Sequence, residues 1–142
     1  MGQDNHGAAT LSSAHRLHLG YPAPKMGRTA TTGIPGVTAH PPVFIIHDLA
    51  QAMAALAAGE TAGIAIQLES APGAAGYAGA GWFAAVIKAA RAAHPRARAL
   101  AVLDCGAEPG LALGAIRQGV DAIRTRARPA VRTKIKAIGQ IA

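Results

Sequence analysis

Four short polar clusters in this 142-residue chain carry the residue types that chemistry needs: His47-Asp48, Glu69-Ser70, Asp104-Cys105-Gly106 and Arg124-Thr125-Arg126. Each follows directly on a short apolar run. Arg124 and Arg126 offer guanidinium donors suited to phosphate or carboxylate. Gly73 and Gly76, in the glycine-rich stretch from Ser70 to Phe83, offer backbone N–H groups to the same kind of anion. A thiol beside a helix start, as Cys105 would be, becomes nucleophilic if its acidity rises; the adjacent Asp104 opposes that, and a lone cysteine at a strand end also serves as a small buried hydrophobe. His47 and Asp48 would pair a base with an orienting acid, but neighbours on a strand point to opposite faces unless a turn redirects one. The ligand-binding candidates are therefore Asp48, Glu69, Ser70, Gly73, Gly76, Asp104, Gly106, Arg124 and Arg126, with Cys105 and His47 as the catalytic candidates. The acids Asp48, Glu69 and Asp104 oppose an anion unless donors, cations or a Mg²⁺ ion bridging them to a phosphorylated ligand offset their charge.

Two nucleotide signatures fail. A P-loop needs Lys-Ser/Thr after its last glycine, where this chain has Trp82-Phe83; the dinucleotide fingerprint is G-x-G-x-x-G, where this chain reads G-x-x-G-x-x-G-x-G after its second strand. The simpler role of those glycines is a tight turn that tucks Trp82 and Phe83 under a sheet. Histidines 6, 15, 18 and 40 suggest a metal, but no cysteine or carboxylate cluster completes a tetrahedral set, and no metal site is expected.

The elements that must position these residues are legible from the pattern. Val43-Phe44-Ile45-Ile46 is a β-branched strand, and Asp48 caps a following helix with Leu49, Ala52, Met53 and Leu56 on one face and a stop at Gly59. A second strand covers Ala62 to Leu68, and a helix runs from about Trp82 to Ala93. Ala99 to Leu103 reads as a buried strand, followed by a helix opened by Pro109 and stopped by Gly119. Val120 to Ile123 gives a fourth strand. A last helix, Pro129 to Ile141, places Val131, Ile135 and Ile138 inward and Arg132, Lys134 and Lys136 toward water. Four strand-helix repeats predict a parallel sheet whose carboxyl ends share one edge, and there the polar clusters meet.

Before Pro42 the chain lacks either periodicity and is punctuated by glycine and proline, so residues 1–41 are expected to be a disordered tail or linker and residues 42–142 a single α/β domain. Met26 offers an alternative start that would leave the earlier residues out of the native chain. Hydrophobic residues make up 51% of the chain and aromatic ones 4%, so the core must be thin and built from Ala, Val, Leu and Ile. The longest apolar stretches fall well short of the roughly 20 residues that span a bilayer. One cysteine and no secretory leader point to a cytoplasmic protein. A formal net charge of +7 suggests an acidic partner, but an Ala-, Gly- and Arg-rich composition explains it without one. The basic stretch Arg117 to Lys136 lacks interleaved aromatics, which argues against nucleic acid.

Ser70-Ala-Pro-Gly-Ala-Ala with Gly81-Trp82-Phe83, then His94-Pro95, Leu103-Asp104-Cys105-Gly106, Pro109-Gly110 and Ala115-Ile116-Arg117-Gln118-Gly119 resemble a family of small uncharacterised bacterial proteins. The likeness covers roughly residues 42–126 and implies no assigned activity. The alternation also resembles a response-regulator receiver, which is flavodoxin-like, or a partial aldolase barrel, which is half-barrel-like. A receiver has paired acids after its first strand and a lysine after its last; His47-Asp48 and Arg124 depart from both. The function expected is binding of a small anionic ligand, phosphate- or carboxylate-bearing, at the carboxyl edge of the sheet, with catalysis left open. The alternatives are a non-catalytic oligomeric or partner-binding module, and nucleic-acid binding through the basic last helix. Two open sheet edges and a core with few aromatics favour a homo-oligomer.

Overall fold

The computed structural model describes residues 40–141, so the tail expected at residues 1–41 lies outside them apart from His40 and Pro41. The described residues alternate strand and helix: β1 (Val43–Ile46), α1 (Leu49–Ala62), β2 (Ile66–Ser70), α2 (Ala74–Tyr77), α3 (Ala80–Ala93), β3 (Ala99–Asp104), α4 (Pro109–Arg117), β4 (Ala122–Arg124) and α5 (Pro129–Ile141).

Local chemistry sets these boundaries. Asp48 caps α1 as expected, its Oδ1 accepting the Gln51 N–H at 2.8 Å while Gln51 Oε1 accepts the His47 N–H at 2.8 Å. The helix does not stop at Gly59. That residue is buried against β2, where a Cβ would stand 2.9 Å from Ile66 Cγ2, so its lack of a side chain permits a close helix-sheet approach rather than a turn. Gly63 is the stop: at φ 67° it takes the left-handed conformation that frees its N–H for Glu60 O, while the Ile64 N–H reaches Gly59 O. β2 consequently begins at Ile66, later than expected. The glycine-rich stretch is not one loop, because it folds the single turn α2 between the left-handed Gly73 and the positive-φ Gly79. β4 starts two residues late, since the Val120 N–H closes the α4 turn on Ala115 O and the Asp121 side chain accepts the Ala101 N–H.

All strands are parallel in the order β1-β2-β3-β4. Each right-handed crossover therefore moves one strand over in the same direction, which puts the described helices on the same face. Packing agrees: α1 lies against α3, α3 touches α4, and α4 packs on α5 in one continuous layer. A flavodoxin-like sheet reverses direction and carries helices on both faces. The observed order is the half-barrel alternative. Register separates the two faces of the sheet. Ile46, Ile66, Leu68, Ala101, Leu103 and Ile123 share the helix side and join the core, while Val43, Ile45, Gln67, Glu69, Val102, Asp104, Ala122 and Arg124 share the other. Phe83 is fully buried in the core, but Trp82 stays 37% exposed, so only one of the two aromatics tucks under the sheet. In α5, Ile135 is buried as expected and Ile138 is not.

At the opposite edge from the polar clusters, Glu60 ties α1 to the α3–β3 turn, accepting from Arg96 Nε at 2.8 Å and lying 3.1 Å from His94 Nδ1. These partners hold its carboxyl below its ordinary value of 4.5. A depressed folded-state pKa contributes stability that is present above the unfolded value and lost as pH falls through the folded one. Urea unfolding between about pH 3 and 6 is expected to show stability falling below the ordinary glutamate range, and Glu60→Gln to flatten that part of the profile.

Candidate functional site

The carboxyl edge of the sheet is built around Asp104, the last residue of β3. Its Oδ1 accepts the N–H of Gly73 at 2.9 Å and that of Gly106 at 2.9 Å, and its own N–H donates to Ser70 Oγ at 2.9 Å. Ser70 in turn donates to Ala71 O at 3.1 Å. Gly73 and Gly106 both adopt positive φ, 69° and 58°, which points their amides inward at the price of excluding most side chains. Ser70, Gly73, Asp104 and Gly106 are thus brought together as the sequence suggested, but the geometry corrects their role. The Gly73 amide expected to receive an external anion already donates to the chain's own carboxylate, as does the amide of Gly106, another of the ligand-binding candidates. Gly76 also has its amide engaged, donating to Gly73 O at 2.9 Å, and its Cα faces Leu111 of α4.

The loops after β3 and β4 are laced to each other. Cys105 N–H donates to Arg124 O at 2.8 Å and Arg126 N–H to Gly106 O at 2.7 Å; Thr125 Oγ1 donates to Gly106 O at 3.0 Å and accepts the Ala127 N–H. Arg124 forms an ion pair with Glu69, across the face that carries none of the described helices. By register Glu69 lies opposite Val102, itself opposite Ala122, so the pair bridges β4 and β2 past β3. Glu69, at 6% exposure, is almost entirely withdrawn from water, while the Arg124 side chain stays about one-third exposed. Arg126 is different: its side chain is 64% exposed, and its guanidinium lies 3.8 Å from Asp104 Oδ1.

Cys105 is fully buried, its Sγ donating to Leu103 O at 3.7 Å. Burial, then the neighbouring Asp104 charge, pushes its pKa up to about 12. Such a thiol is the small hydrophobe of the two readings and a poor nucleophile. His47 and Asp48 sit exposed at the end of β1, both engaged with Gln51; His47 Nδ1 lies 3.2 Å from Gln51 Oε1, and neither is joined to the Asp104 cluster by a hydrogen bond. Among the described residues no three His, Cys, Asp or Glu side chains form a metal-binding group, so Asp48, Glu69 and Asp104 do not converge on a Mg²⁺ ion. No described helix is long and apolar enough to cross a membrane.

One pair escaped sequence reasoning. Arg91, in the last turn of α3, grips Asp121 through both guanidinium nitrogens, with Nη1 at 3.1 Å from Oδ1, and also donates to Ala99 O at 2.8 Å. The two side chains stand 30 residues apart, and only the crossover brings them together. The chain matches no protein-family model, no curated protein and no solved structure.

Two outcomes follow from this geometry. Iodoacetamide at neutral pH is expected to leave Cys105 unmodified in the folded protein and to label it only at the rate of unfolding, as read by intact mass. Asp104→Ala removes the acceptor of two inward-pointing amides and is expected to cost about 2 to 4 kcal/mol in a denaturant titration.

Proposed function

We propose that this chain is a non-catalytic assembly module that pairs through the outer edge of β1 with a second copy of itself. The observation that supports this reading is the run Val43, Phe44 and Ile45, exposed at 44%, 37% and 47% on an edge strand. Leu49 at the start of α1 and Ile64 just before β2 are further exposed apolar residues. Gln67 N–H donates to Pro42 O, and in a parallel ladder alternate residues serve the same neighbour. Phe44 and Ile46 therefore bond to β2, and Val43 and Ile45 direct their amides and carbonyls outward. An unpaired, uncharged, apolar edge is what natural sheets blunt with lysine, proline or a cover; the strand Val43–Ile46 itself carries no lysine or proline, and among the described residues no further strand pairs with it. A two-fold contact sets the same residues against each other, so a neutral patch meets its copy without like-charge repulsion. The Asp104 cluster supports a structural rather than catalytic role for the opposite end of the strands.

A second reading, a small phosphate- or carboxylate-bearing ligand at the carboxyl edge, rests on Arg126 alone among the arginines first considered. Its exposed guanidinium projects beside Asp104, whose charge already meets two amides. Arg128, exposed two residues on, supplies a further cation.

Light scattering is expected to give a dimer mass at micromolar concentration, and Ile45→Lys to give a monomer with an unchanged circular dichroism spectrum. A monomer in the wild type would overturn the assembly reading. A thermal-shift titration with inorganic phosphate separates the second: a rise in melting temperature abolished by Arg126→Ala supports it.

A further inference from the structure

The helix layer has a gap. α1 and α3 pack closely, but α3 and the turn from α4 into β4 stand apart, leaving a cleft of about 460 Å³ that is open to solvent. Volumes of this order are typical of small-molecule sites. The α3 wall presents Gly81, Ala84 and Ala85 where larger residues would close the space, and behind them the almost fully buried Phe83, Ile87, Ala101 and Val120 form an apolar floor.

Its charges are unequal in what they have left to give. Asp121 receives Arg91 and the Ala101 N–H, so both members of that ion pair are already engaged. Lys88 also lines the cleft, and no acid among the described residues pairs with it. An apolar cavity with one uncommitted cation and its only acid neutralised complements an anion that carries an apolar body.

We infer that the α3–α4 cleft binds a small organic monocarboxylate, its hydrocarbon or aromatic part against Ala84, Ile87 and Val120 and its carboxylate on Lys88. The contact is reversible and involves no covalent step. It is independent of the β1 edge, on the opposite side of the helix layer's order, so either can fail without the other.

The test uses 1-naphthoate as probe with the full chain, followed by amide chemical shifts in two-dimensional NMR and by calorimetry. Saturable binding is expected, with shifts centred on α3 and on Gln118 to Asp121. The neutral analogue 1-naphthylmethanol is expected to bind at least about tenfold more weakly, since it forfeits the charge-assisted contact. Lys88→Met is expected to weaken naphthoate about tenfold while leaving the alcohol unchanged; Lys88 is exposed, so this variant keeps the fold. Ala84→Leu, which fills the cleft, is expected to abolish both, with its melting temperature measured to confirm folding. No saturable binding, shifts centred elsewhere, equal affinity for acid and alcohol, or indifference to Lys88→Met in the folded variant would each overturn the inference. Shifts on these residues that follow protein concentration and not naphthoate would assign the cleft to a protein contact and overturn it likewise.

Discussion

A single carboxylate organises the end of this sheet. Asp104 closes β3, gathers the amides of the turns that follow β2 and β3, and through its own N–H holds Ser70. Buried amides must find acceptors, and an ionised acceptor makes such bonds stronger than a neutral one does. Both turns then have their conformations fixed: Gly73 leads into α2 and α3, and Gly106 leads into α4. The placement of two crossover helices thus depends on one side chain. The loop after β4 joins the same network through Gly106 O, which accepts from both Thr125 and Arg126. An edge so internally satisfied retains few groups for a ligand.

The core beneath it is thin for a reason that composition already implied. Small residues such as Ala52, Ala90, Ala101 and Ala112 are fully or almost fully buried, and Phe83 is the largest fully buried side chain among the described residues. Alanines bring helix and sheet close together, and the buried Gly59 against Ile66 shows the same close approach. Where small residues are not answered by a close neighbour, between α3 and α4, the same composition leaves space. On the face without helices, Glu69 and Arg124 meet inside a polar strip that includes Gln67. Removing Arg124 would strand the buried Glu69 carboxylate in a poorly hydrated place, which costs more than the pair contributes.

Much of the architecture was legible because it depends on neighbours in sequence. β-branched runs, the Asp48 cap, Pro109 at a helix start and the strand-helix alternation are local signals, and they led to four parallel strands with helical crossovers. Boundaries slipped where a glycine's meaning depends on what packs against it: Gly59 faces Ile66 and continues the helix, while Gly63, with open space around its Cα, ends it. The site was legible as a gathering of residues and not as chemistry. Proximity of Asp104 to Gly73 follows from parallel strand ends; that the carboxylate would consume those amides depends on side-chain direction across 31 residues of chain. Cys105 shows how far such reading goes, since its position left a nucleophile and a small buried hydrophobe both open, and its complete burial decides for the second. Ile138 stays exposed because helical periodicity states which residues share a stripe, not whether anything covers the far end of it.

The unidirectional strand order also bears on how such a chain can change its length. Every βα unit receives the chain at one edge and delivers it to the next, and β1 and β4 end up at opposite borders of the sheet, about 14 Å apart across three strand spacings. A sheet whose order reverses must thread a later strand beside an earlier one, so inserting or deleting a unit disturbs pairs that already exist. Here a unit added beyond β4 would find a free border and a right-handed path to it, with no existing pair broken. In terms of design, the described sheet is an extensible series: adding a terminal unit would lengthen it, removing one would shorten it, and neither would require the remaining strands to exchange partners.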